Sequence, residues 1–175
     1  MKTGKKTLPA IILMNLFWVL PVLEAKSGFP VRPDKNNVVA NGLAGTWLAD
    51  GKLAKSMGTR VYVSRAVFRF NPEVARRIPA KYARFLKKTR IYMAGEMELT
   101  LSRRKMRVVK HPFILIAHGG NPYVVYFRPR RGRPMGDAES FYVMLAKGKT
   151  AARDILFMGG DFPGESFFPL RRGEF

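Results

Sequence analysis

Apolar and polar side chains alternate with a period of two along much of this chain, and that pattern restricts the fold more than any other feature. Over residues 91–101, Ile91, Met93, Gly95, Met97, Leu99 and Leu101 fall on one side, and Tyr92, Ala94, Glu96, Glu98 and Thr100 on the other. A helix would scatter these two sets around its axis, whereas a strand with one buried face separates them. Residues 60–70 repeat the pattern. Tyr62, Ser64, Ala66, Phe68 and Phe70 share the side expected inside, and Arg65 and Arg69 mark the other side as solvent. Further strands are expected at 45–50, 123–128, 139–146, 153–158 and 166–170. One more runs from 105 to 117, bent by a proline corner at His111-Pro112. Short turn-like connections join most of them. Eight sequential strands predict an all-β fold, an eight-stranded up-and-down antiparallel barrel, because closure removes the two raw edges an open sheet would leave. A two-sheet sandwich is the alternative.

One stretch between the second and third strands breaks the alternation. Asn71, Pro72 and Glu73 suit a helix start, with Asn71 as cap and Pro72 in the first turn, and Pro79 splits the stretch into two pieces. Ile78, Tyr82, Phe85 and Leu86 lie on one face of residues 72–88, and arginines and lysines cover the rest. A short helical insert is expected here, covering one barrel end and showing a basic face to solvent.

The N-terminus has the layout of an export signal. Lys2, Lys5 and Lys6 precede a mostly apolar run from Leu8 to Leu23, and the small residue Ala25 closes it. The expectation is a signal peptide over 1–25, a polar linker over 26–42 and a β-barrel domain over 43–175. Export to the periplasm or the exterior follows, or anchoring if the segment stays attached. The remaining chain, roughly 150 residues, is long enough to bury a core without staples. It has no cysteine, which removes thiol nucleophiles, thiolate metal sites and disulfide chemistry.

The formal charge is +20, spread along the chain rather than held in a tail. Such a field draws polyanions and anionic surfaces. For an exported protein the expected partners are anionic lipid or a cell-envelope polymer, and nucleic acid is disfavoured. Two basic runs stand out as anion-binding candidates: Arg103, Arg104 and Lys105, and the loop holding Arg128, Arg130, Arg131 and Arg133. The arginine fork suits phosphate and carboxylate. Catalytic signals are weak. His111 and His118 read as turn or surface residues, Glu96 and Glu98 as partners of neighbouring arginines, and no nucleophile elbow, phosphate loop or metal spacing occurs. No enzyme activity, cofactor or metal is expected.

Leu43-Ala44-Gly45-Thr46-Trp47 opens the first strand. With its G-x-W and its order of strands, the chain resembles the lipocalin-like barrels of the calycin superfamily. The resemblance implies that Gly45 gives a sharp start to the strand, that Trp47 packs across the closed end, and that Arg171 or Arg172 lies over its ring. Two features depart from the family pattern: the helical insert sits early, and the usual cysteines are missing. The function implied is binding of a small apolar or amphiphilic ligand in an interior lined by Trp47, Tyr62, Phe68, Met93, Met97, Leu99 and Phe141. Basic rims would contact anionic envelope components. The competing expectation is an envelope interaction protein that works through its basic outer surface and holds nothing inside.

Overall fold

The computed structural model describes residues 29–32, 34, 36–102, 106–159 and 167–173. The proposed export signal and the basic run Arg103, Arg104 and Lys105 lie outside these residues. Eight antiparallel strands form a closed barrel in sequence order: β1 (Gly45–Ala49), β2 (Val63–Phe70), β3 (Ile91–Ser102), β4 (Met106–His118), β5 (Asn121–Arg130), β6 (Arg133–Ala146), β7 (Ile155–Gly159) and β8 (Phe168–Arg172). Closure is direct, since β1 pairs with β8 and Trp47 lies opposite Arg172.

The alternation sorts into an apolar interior and a charged exterior, with two departures that share a cause. A register shift between Val63 and Arg65 turns Val63 inward, and another between Ile91 and Met93 turns Ile91 outward. One extra residue at a bulge reverses the faces on one side of it. Tyr62, expected inside, is 47% exposed for this reason, and Phe70 is exposed as well. Close strand approach also has a local requirement. A Cβ on Gly95 would sit 1.9 Å from the Arg69 carbonyl oxygen, so only glycine fits there.

Charged groups decorate the outer wall. Glu98 bridges Arg65 (3.0 Å), Lys110 (3.2 Å) and Arg69 (3.9 Å).

The proline in β4 acts differently from the expected corner. Pro112 stays in the strand and faces Glu96 of β3. The ladder to β5, however, runs only between 113–118 and 121–126. Pro112 has no N–H to donate, and beyond it the β3–β4 and β5–β6 hairpins part.

Among the described residues, four short α-helices and two 3-10 turns, Ala80–Tyr82 and Ala151–Arg153, accompany the strands. Two of the helices fall where no helix is expected: α1 (Val38–Gly42), capped by Asn37, and α2 (Gly51–Ser56), capped by Asp50. The stretch expected to be a plain linker is therefore partly folded onto the barrel. Within it, Val31 also bridges Ile91, and Phe29 packs on the outer wall. The insert after β2 comprises α3 (Glu73–Arg76), a 3-10 turn (Ala80–Tyr82) and α4 (Ala83–Leu86), divided at Pro79 as expected. Its position corrects the expectation. Val74, Ala75, Ile78 and Leu86 pack on Ile91, Ala94, Ile114, Ile116, Val125 and Phe127. These wall residues alternate with the interior ones, so the insert straps the outside of the barrel rather than plugging its end. The Tyr82 hydroxyl fastens the strap by donating to the Gly136 carbonyl at 2.7 Å. The apolar faces of β3, β4 and β5 at this place need a cover, and Phe85, on the far side of the strap, remains exposed.

Candidate binding site

One barrel end is stoppered. Gly45 has φ 123°, a conformation that favours glycine, and it turns the chain from α1 into β1. Trp47 is fully buried beside Leu43 and Val39. Its indole Nε1–H donates to the Leu43 carbonyl at 2.8 Å. The Arg172 guanidinium stands 4.4 Å from the ring centre, and of the two arginines offered by the sequence it is Arg172 that stacks. Arg172 also donates to the carbonyls of Gly42 and Ala44, which ties α1 across the end. Arg171 instead pairs with Asp50.

A buried carboxylate completes the stopper. Asp154 is 1% exposed. It accepts from Lys147 Nζ and from the Gly148 N–H, both at 3.1 Å, and lies 3.8 Å from Arg172. Burial opposes its charge, but the Gly148 N–H, Lys147 and Arg172 outweigh that and hold the carboxyl below its ordinary range.

Of the residues expected to line the interior, Trp47, Phe68, Met93, Met97 and Leu99 join one buried cluster, with Phe141 packed against it. Tyr62 lies outside that cluster. Phe113, Val124, Val143, Leu156, Met158 and Leu170 add to it, so the lining near Trp47 is apolar.

Toward the other end the inward positions become polar. Tyr126 faces Glu139 across β5 and β6, and its hydroxyl donates to one Glu139 oxygen while Arg128 donates to the other. The hydrogen bond from Tyr126, then Arg128, holds the Glu139 carboxyl below its usual range. Burial, then the Glu139 bond, pushes the Tyr126 phenol up. His111 alternates with Phe113 on β4 and faces the same side, its ring 5.2 Å from that of Tyr126. Its Nδ1 is buried without a hydrogen-bond partner among the described residues. The sequence alone puts His111 in a turn and does not single out Tyr126 or Glu139. Counting outward from the Arg131-Gly132 turn pairs Tyr126 with Asp137, and the register shift between Arg128 and Arg130 that brings Glu139 there instead has no marker in the sequence.

Burial and then Arg128 lower the pKa of His111, against a smaller opposing effect of Glu139; Arg107 adds to the lowering. The folded state therefore favours the neutral ring. Stability that depends on this ring is complete above the free value near ~6.5 and falls as pH drops from there through the folded value. Urea midpoints measured at stepped pH should decline on the acid side of neutrality, and His111→Phe should flatten that decline. An unchanged profile in the variant would show that His111 is not the group responsible.

A cavity of about 190 Å³ sits on the outer wall where β4 leaves β5. It is lined by Arg77, Glu96, Lys110, His111, Pro112 and Met135. His111 thus touches both this cavity and the inward polar cluster. The basic β5–β6 loop is partly neutralised by its own hairpin, because Arg128 pairs with Glu139 and Arg130 with Asp137. Arg131 is exposed, and Arg133 lies opposite Arg130 in register. His118 is exposed beside the Gly119-Gly120 turn. No group of three metal-ligating side chains occurs among the described residues. Comparison of the chain with protein-family models, curated proteins and solved structures finds no match.

Proposed function

We propose that the protein is an exported, lipocalin-like binding barrel for a small apolar or amphiphilic molecule, held near anionic envelope material by its basic rim. One observation carries the reading: the inward positions grade from apolar beside Trp47 to the His111, Tyr126, Glu139 and Arg128 group toward the other end. That gradient suits a ligand with an apolar body and a polar head. The lipocalin likeness is supported by the closed up-and-down barrel and by Arg172 over the tryptophan of the G-x-W. Met93, Met97 and Met158 in the lining can repack around a guest, because unbranched thioether chains adapt their shape.

Titration with a dansylated fatty acid tests this. Saturable binding with a micromolar-range Kd, insensitive to salt, is expected. Met97→Trp, which fills the interior, should weaken binding roughly tenfold or more, with Met158→Phe as a second filling variant. Absence of saturable binding, or equal binding by both variants, would sink the interior site. The alternative, an envelope protein acting only through its basic outer surface, is favoured by the close filling of the barrel beside Trp47. It predicts just that negative result.

A further inference from the structure

Beyond Pro112 the β3–β4 hairpin continues as an arm, and its outer face carries apolar groups that no described residue covers. Met106 lies opposite Ser102, and Val108 opposite Thr100. The Ser102 N–H bonds the Tyr62 carbonyl at 2.8 Å, which sets Tyr62 next along the same row. Met106 is 79% exposed and Val108 55%. Three large apolar side chains thus share one surface across three adjacent stretches of chain. Isolated exposed apolar residues are ordinary, but a grouped set rimmed by polar residues marks an interface. Here the rim is cationic. Arg60 is exposed without a carboxylate partner among the described residues, and Lys110, which follows Val108 on the same face, shares the single carboxylate of Glu98 with Arg65 and Arg69.

We propose that this face docks on an anionic lipid bilayer. Met106, Val108 and Tyr62 would sit at the boundary of headgroups and acyl chains, with Arg60 and Lys110 against the phosphates. The inference rests on the basic-rim part of the proposed function and narrows envelope material to lipid. Two physical reasons select lipid over another polyanion. A soluble polymer would be attracted by the cations but would gain nothing from uncovered aliphatic groups, whereas a bilayer rewards both. Tyrosine is also favoured at the membrane–water boundary, where its ring is buried and its hydroxyl stays wet. The chain's charge of +20 complements a negative surface.

The test is co-sedimentation of the full chain with vesicles of phosphatidylcholine alone and of phosphatidylcholine mixed with phosphatidylglycerol. Binding is expected to the mixed vesicles only, weakening as salt is raised. Met106→Ser with Val108→Ser should weaken it roughly tenfold without changing the unfolding midpoint, because both side chains are exposed. Arg60→Glu should weaken it as well and flatten its salt dependence. The apolar N-terminal segment is common to every variant, so it cannot produce these differences. Unchanged vesicle binding by the double serine variant would overturn the proposal, as would no binding to either vesicle. Equal capture of wild type and double serine variant by heparin, without vesicle binding, would assign the surface to a soluble polyanion. Fatty-acid binding without vesicles is read separately, so failure of the docking face and failure of the interior site are distinguishable.

Discussion

Replacing Trp47 by alanine is expected to cost about 3–5 kcal/mol of folding stability, the range for truncating a large buried aromatic. The indole is fully buried among residues of the closed end, its N–H is bonded to Leu43, and Arg172 stacks on its face. Truncation leaves a large void at a place where α1, β1 and β8 converge, so collapse is hindered from three directions. It also strips Arg172 of its stacking partner. Trp47→Phe keeps most of the packing and loses one hydrogen bond, so about 1–2 kcal/mol is expected. Urea denaturation of the three proteins measures both values. A loss below about 1 kcal/mol for the alanine variant would mean that the indole does not hold that end.

Asp154→Ala should be nearly as damaging, at about 3 kcal/mol, the lower end of the range for removing one partner of a buried charge pair. The carboxylate is 1% exposed, and the Arg172 side chain, which it neutralises, is 16% exposed. Lys147 is half exposed and recovers water when its partner goes, which is why the lower end applies. The acid response stems from the lowered carboxyl pKa. With the folded value below the unfolded one, near ~3.9, the stabilisation is complete above that unfolded value and is lost as pH falls through the folded value. The wild type should therefore weaken below pH ~4 in part through this group, and the variant should show a flatter acid limb. If denaturation curves of the two proteins run parallel from neutral to acid pH, Asp154 does not carry the charge described. Because Arg172 touches both Asp154 and Trp47, the two substitutions should combine to less than the sum of their separate losses.

The barrel is legible in the sequence because one buried face per strand imposes a period of two, and β3 shows that period almost without interruption. The stacking of an arginine from the last strand on Trp47 is legible through the G-x-W. The hidden features have local causes. The bulges beside Val63 and Ile91 add a residue without any marker in composition, so simple alternation puts Tyr62 on the wrong side. Helices α1 and α2 are five and six residues long, too short to display a helical period. The basic insert shows its helical character in its residues, but only the pairing of β3, β4 and β5 reveals the apolar outer wall it has to cover. His111 resembles a turn residue because Pro112 comes next. In the structure the proline frees one side of β4 while β3 holds the other, and that keeps the histidine directed inward at Tyr126.

Methionine methyl groups offer the most direct check of the binding account, since they mark both the interior and the surface of one molecule. Met93, Met97 and Met158 are buried in the barrel, whereas Met106 and Met57 are exposed. In a methyl-labelled NMR titration with the dansylated fatty acid, the three interior signals should shift and saturate together while those of Met106 and Met57 stay in place. Shifts confined to the exposed methionines, with the interior signals unmoved, would contradict a guest inside the barrel.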